Sequence, residues 1–280
     1  MTQPAAKPSP APALEVAVHT ERLAPNFRGL DADRSSFSRR FVELVCDGRP
    51  TLGRLLDVGC GPDLPPYLSR IGDLAEQHDG VDPFADQVMA HPRLTRRFAG
   101  TVESAPLPPG FYDTALAYNV AEHVPAGAPF FAAVRRALRP GGVFWLLTPH
   151  ARHPFAVLSN SVRLLSLKQV YRRRVKPGAN AYPSYYRLNS PRAILRAVRG
   201  QPWRRADFWY LPCAQWDRYV PRPLRFLPHA YDRAVGGRVG PLMLILACRL
   251  TADDTTAAAS TDSLADSATD SAAPAAAGLA

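Results

Sequence analysis

The chain has 280 residues, with 34 Lys and Arg against 24 Asp and Glu and a formal charge of +10. No apolar stretch reaches the length of a bilayer span, and no basic start precedes an apolar core at the N-terminus. Cys46, Cys60, Cys213 and Cys248 stand far apart without a CxxC pair. A zinc site and a disulfide framework are thereby disfavoured, no metal is expected, and a cytoplasmic protein with reduced thiols is.

Residues 1–13 are rich in Pro and Ala and bury too little apolar surface to offset ordering entropy, so they are expected to be disordered. Phe37, Phe41, Leu44 and Val45 recur at helical spacing and predict a helix over 35–46. Residues 54–58 read as a buried strand that breaks at once into the turn Gly59-Cys60-Gly61-Pro62. Glycine is needed where the backbone takes positive φ or lets a ligand approach to contact. A strand entering such a turn and then a helix, here over 65–71, is the nucleotide edge of a doubly wound α/β sheet. A second strand ends at Asp82, near the roughly 20-residue offset of a ribose-binding carboxylate. These residues fit an adenosine-containing cofactor. The dinucleotide fingerprint G-x-G-x-x-G is not met, because Leu64 stands where its third glycine belongs. A cofactor without phosphate has no use for the missing amide donors.

Further along, a strand ends at Ala117, a helix covers 128–138 and another strand covers 143–147. Residues 148–187 exceed a short connection and are read as an insertion. Its centre, 155–171, is rich in Val and Leu and ends in Arg172-Arg173-Arg174. Leu158, Val162 and Leu165 share a stripe while Val157, Leu164 and Leu167 fall elsewhere, which leaves open a packed lid helix or a helix dipping into a membrane surface. Ser190 and Pro191 then read as the cap and first turn of a helix to 198. Strands over 207–211 and 242–250 close the domain, which spans 14–250. The Ala, Ser, Thr and Asp tail over 251–280 is expected to be disordered. With its five aspartates set aside, 34 basic face 19 acidic side chains, a net +15, and residues 123–206 contain no Asp or Glu. Such a field favours a phosphorylated or carboxylated substrate, nucleic acid or an anionic membrane surface.

The run Asp57-Val58-Gly59-Cys60-Gly61-Pro62 resembles motif I of the class I S-adenosylmethionine-dependent methyltransferases. Gly80-Val81-Asp82-Pro83, Glu103-Ser104-Ala105-Pro106-Leu107-Pro108, residues 111–117, Asn119-Val120-Ala121-Glu122-His123-Val124 and Leu138-Arg139-Pro140-Gly141-Gly142 resemble its later motifs in the right order. The chain is similar to the bacterial type 11 and 12 small-molecule methyltransferases. The resemblance implies a doubly wound, mostly parallel seven-stranded α/β sheet ending in an antiparallel hairpin, with a helical lid inserted after strand five. It implies S-adenosyl-L-methionine as cofactor, held by Asp57, Gly59 and Gly61 at the methionine end, by Asp82 at the ribose, by Val102 and Glu103 near adenine, and by Asn119. Asp57 serves equally well as an acceptor for loop amides or for the methionine ammonium. The family often carries an acidic residue near Thr101, where this chain departs.

The reaction so implied is transfer of a methyl group to a small-molecule, saccharide or lipid-linked acceptor, at oxygen. A hydroxyl acceptor needs a base near the transition state. His123 and His150, with His153 beside them, are the candidates, and the position matching His123 is also often structural. Thr148-Pro149-His150 followed by Pro183-Ser184-Tyr185-Tyr186-Arg187 resembles bacterial methyltransferases of cell-surface polysaccharide or lipid pathways, which puts Tyr185, Tyr186 and Arg187 on the acceptor side. Peripheral contact with the cytoplasmic face of an anionic membrane is consistent with this. A nucleic-acid methyltransferase is the first alternative, although the chain has neither an Asn-Pro-Pro-aromatic tetrad nor a catalytic Cys motif. A catalytically silent interaction module that keeps the cofactor fold is the second.

Overall fold

The computed structural model describes residues 13–21, 36–154, 156–157, 183–211, 220, 222–235, 238–243 and 245–254. The expected disorder of residues 1–12 and 255–280, the lid over 158–182 with its arginine triplet, and Cys213 lie outside these residues.

Eight strands form one sheet: β1 (Glu15–Thr20), β2 (Gly53–Val58), β3 (Ala75–Asp82), β4 (Arg96–Ala99), β5 (Tyr112–Tyr118), β6 (Leu138–Pro149), β7 (Trp203–Leu211) and β8 (Ile245–Ala252). Their order is β1-β7-β8-β6-β5-β2-β3-β4. β8 runs antiparallel to both β6 and β7, and the other described pairings are parallel. The helices are α1 (Ser36–Cys46), α2 (Ser69–Asp73), α3 (Ala85–Ala90), α4 (Gly127–Ala137), α5 (Pro191–Ala197) and α6 (Phe226–Val235).

Strand periodicity sorts the core into two layers. Leu55, Leu116 and Trp145 face one side with Phe41 and Val45 of α1. Leu56, Ala115 and Phe144 face the other with Phe130 and Phe131 of α4 and Ile194 of α5. Central strands buried on both faces explain why β2, β5 and β6 read as near-continuous apolar runs. Ser190 caps α5 as expected, its hydroxyl accepting from the Ala193 amide at 3.3 Å. The Arg135 guanidinium, buried behind α4, donates to the carbonyls of Pro202, Leu138 and Asp253.

Three features differ from the expectation. β1 adds an eighth strand, parallel to β7 along its free edge, where its mostly exposed residues give little hydrophobic signal. β8 runs to Ala252, two residues beyond the expected border, because Arg205 and Trp203 of β7 offer ladder partners to Thr251 and Ala252. α6 was not expected at all, since it carries Pro228; a proline in a first turn removes no intrahelical hydrogen bond.

Candidate active site

β2, β3, β5 and β6 all end at one edge of the sheet, at Val58, Asp82, Tyr118 and Pro149. This is where an open α/β sheet places its ligand. Gly59 leaves β2 with φ +72°, and its amide donates to the Val81 carbonyl at 2.7 Å. A Cβ there would stand 2.5 Å from Val120 Cγ2, so the turn admits only glycine on two counts. Gly61 also has positive φ, and among the described residues a Cβ on it would find only Gln87 Oε1, at 4.0 Å. Space is open above this residue. The Gly61 amide donates to Asp82 Oδ2 at 3.0 Å, and the Phe84 amide to Asp82 Oδ1 at 2.9 Å. Asp82 thus stitches the glycine loop to the end of β3.

Asp57 is buried at the foot of the loop, and its Oδ2 has no hydrogen-bond partner among the described residues. His78 Nε2 is 3.7 Å away. Burial first, then the charges of Asp57 and Asp82, push the Cys60 thiol up, so it stays protonated and is no nucleophile. On the far side, the Ser104 hydroxyl accepts from the Thr101 amide, shaping a turn in which Val102 is buried and Glu103 half-exposed. Asn119 leaves β5 with φ +57°, a conformation Asn tolerates better than most residues, and its amide donates to the Leu147 carbonyl. The Tyr118 and Ser38 hydroxyls lie 2.9 Å apart and fasten α1 to this edge.

The neighbouring part of the edge is covered by residues 183–189. The amides of Tyr185 and Tyr186 donate to the Glu122 carbonyl at 2.6 and 3.2 Å. Arg187 donates to the Pro125 carbonyl and lies over the Tyr185 ring. Asn189 Nδ2 donates to Thr148 Oγ1 at 2.6 Å and to the Pro149 carbonyl at 2.8 Å. His123 Nδ1 is 2.9 Å from the Pro183 carbonyl. A carbonyl only accepts, so a neutral His123 donates from Nδ1 and carries its lone pair on Nε2.

Residues 56–146 match a protein family described as a methyltransferase domain. A Mycolicibacterium smegmatis protein named a probable S-adenosylmethionine-dependent methyltransferase is 34% identical over 110 residues, 38% of this chain and 40% of that protein. An uncharacterized methyltransferase of Mycobacterium bovis is 28% identical over 184 residues, 58% of this chain and 72% of that one. The chain therefore spans less than half the length of the first relative. Over these residues the chain is similar to S-adenosylmethionine-dependent methyltransferases. Its fold is shared by phosphoethanolamine N-methyltransferase 2 of Haemonchus contortus, solved with S-adenosyl-L-methionine (TM-score 0.51, 12% identity, 78% of this chain and 52% of that one).

Several features of this structure fit the methyltransferase cofactor. Asp57 Oδ2 is an orphaned acceptor for an ammonium, the space above Gly61 is open, and each Asp82 oxygen keeps a second lone pair for a hydroxyl. Gly59, Gly61, Asp82 and Asn119 meet at one edge, and Tyr185, Tyr186 and Arg187 are brought beside His123. His150 is placed differently. It is buried edge-on against Tyr210 with ring centroids 5.3 Å apart, and burial, aided by the Arg152 charge, lowers its pKa to about 4. His153 is lowered to about 4 by burial and then by its neighbour His150, and packs on Tyr231. Among the described residues no cluster of His, Cys, Asp or Glu could hold a metal, and no helix is long and apolar enough to cross a membrane.

Reading the sequence missed Glu122. Its carboxyl is buried and held by the Thr148 hydroxyl at 3.1 Å, and desolvation raises its pKa. Its place offered a signal, since it is the last acidic residue before the stretch 123–206, which holds none. The Ser38–Tyr118 pair, 80 residues apart in sequence, had no such signal.

Proposed function

We propose that the chain transfers a methyl group from S-adenosyl-L-methionine to the oxygen of a small-molecule, saccharide or lipid-linked acceptor, one carrying negative charge. The observation that carries this reading is the Gly61 amide donating to Asp82. It joins the glycine loop to a carboxylate placed for ribose hydroxyls and offers no pyrophosphate cradle. The bound cofactor supplies an activated methyl group on a good leaving group, so alignment and exclusion of water are what the protein adds.

Asp57 accepts the ammonium end, Asp82 the ribose hydroxyls, and Val102 and Glu103 flank the adenine. Gly59 and Val120 close against each other and fix the floor of the site. On the acceptor side, His123 is oriented by the Pro183 carbonyl and takes the proton of the attacking hydroxyl at Nε2. Tyr185, Tyr186 and Arg187 line its approach, and the net basic charge draws an anionic acceptor. His150 is less suited to the base role because it is sealed beneath the edge. Peripheral contact with an anionic membrane face belongs to the same reading.

The test is calorimetric titration of the chain with S-adenosylhomocysteine, with NADH in parallel. Micromolar binding of the first and none of the second is expected. It is followed by incubation with methyl-labelled cofactor and lipid, saccharide and RNA fractions. Label entering RNA alone would replace this reading with the nucleic-acid one, and no binding by a folded sample would leave the interaction-module reading.

A further inference from the structure

α6 and the turns on either side of it form a surface with two opposed qualities. Its inward face buries Pro228 and Val235 and part of Tyr231. Its outward face carries Phe226 and Leu227, which are 62% and 51% exposed. Leu224 before the helix and Val239 and Leu242 after it are exposed as well. Five of the ten large apolar side chains exposed among the described residues therefore fall between 224 and 242. Single exposed apolar side chains need no explanation, but a cluster does. Residues 222–242 also hold four arginines against one aspartate. Arg222, Arg233 and Arg238 are exposed and Arg225 is half-buried.

The surface has a definite relation to the active site. The Tyr231 hydroxyl donates to the Leu242 carbonyl at 3.1 Å, and its ring packs on His153 with centroids 5.3 Å apart. Gly240 lies against Tyr210, near the end of β7. α6 is thus seated where β6 and β7 end and β8 begins, on the same edge that carries the cofactor loop and the 183–189 segment. Whatever covers α6 lies beside the entrance to the site.

We propose that this surface is a docking face for an anionic lipid bilayer, with Phe226 and Leu227 inserted at the headgroup boundary and Arg222, Arg225, Arg233 and Arg238 on the lipid phosphates. The inference deepens the proposed peripheral contact and rests on it, but assigns it to α6 rather than to the lid. Apolar side chains ringed by arginine are complementary to a surface that is negative outside and apolar beneath. A second copy of the chain is a poor occupant, because a symmetric contact would set one cluster of arginines against its equal. A lipid-linked acceptor would then reach the site along the membrane plane.

The experiment is co-sedimentation of the full chain with phosphatidylcholine vesicles, with and without phosphatidylglycerol. The wild type is expected on the anionic vesicles, less so as salt rises, and hardly on neutral ones. The double variant Phe226→Ser, Leu227→Ser should partition at least about tenfold less. Each of Arg222→Gln and Arg233→Gln should lose roughly fivefold. S-adenosylhomocysteine affinity and melting temperature should be unchanged, since these side chains face outward. Absence of the wild type from anionic vesicles overturns the proposal. So do variants that partition like the wild type, which would place the lipid contact elsewhere, and a drop in sedimentation coefficient confined to the variants, which would mean self-association. Failure of the wild type to bind S-adenosylhomocysteine strikes the methyl-transfer reading instead and is seen in a separate titration.

Discussion

The glycine-loop half of this edge, proposed for the cofactor, and the half covered by 183–189, proposed for the acceptor, are built in different ways. At the tops of β2 and β3, contacts are made largely by backbone: the Gly59 amide, one carboxylate that accepts the Gly61 and Phe84 amides, and a side chain packed where a Cβ is missing. At the tops of β5 and β6, side chains reach across long sequence distances, as Asn189 does to Thr148 and His123 to Pro183. The first half specifies itself through a few residues at fixed spacing. The second is assembled only when distant segments meet, so its chemistry can change without disturbing its neighbour.

The contrast is most severely tested at Gly59. Gly59→Ala combines a left-handed backbone with a contact against Val120, and should cost about 3 to 5 kcal/mol, more than a hundredfold in S-adenosylhomocysteine affinity. Unchanged affinity on titration would mean the loop is not the binding element.

The half at the tops of β5 and β6 should show its cost in acid. His150 is held neutral, with a folded pKa of about 4 against 6.5 unfolded, so the unfolded chain binds more protons between those values. Stability is then present above pH 6.5 and lost as pH falls toward 4, by up to about 3 kcal/mol for this residue. Denaturant midpoints at pH 7 and pH 5 should separate for the wild type and draw together in His150→Phe. An equal separation in both would assign the loss elsewhere.

Asn189→Ala should destabilise the fold by about 2 kcal/mol, because Thr148 and the Pro149 carbonyl lose a buried donor. Cofactor affinity should hardly move. If it falls in step with stability, the two halves are one unit. The smallest effect is expected from Asp82→Ala, a loss of at least about tenfold in affinity, or about 1.4 kcal/mol, with the fold retained. Titration unchanged by that variant would remove Asp82 from the site.

The same division explains what could be read in advance. The turn at Gly59 and Gly61 was legible because positive φ straight after a buried strand leaves little choice of residue. The strands ending at Asp82 and near Ala117 were legible because two buried faces leave little choice of residue. Glu122 was passed over although it adjoins His123, since nothing local shows that Thr148 will cover it. His150 looked like a cleft residue by its place after a strand, and only the packing of Tyr210 shows that it is sealed. β1 and α6 went unseen for opposite reasons. The one is too exposed to show a pattern, and the other hides its helix behind Pro228.

Arg135 has a practical bearing on where the chain can be cut. Its guanidinium gathers carbonyls from the start of β6, the approach to β7 and the residue after β8. A shortened version ending after Asp254 keeps all three ends of that clasp. One ending at 250 leaves a buried cation facing a missing acceptor and an unzipped pair of strand ends, and is the border that protein engineers should avoid.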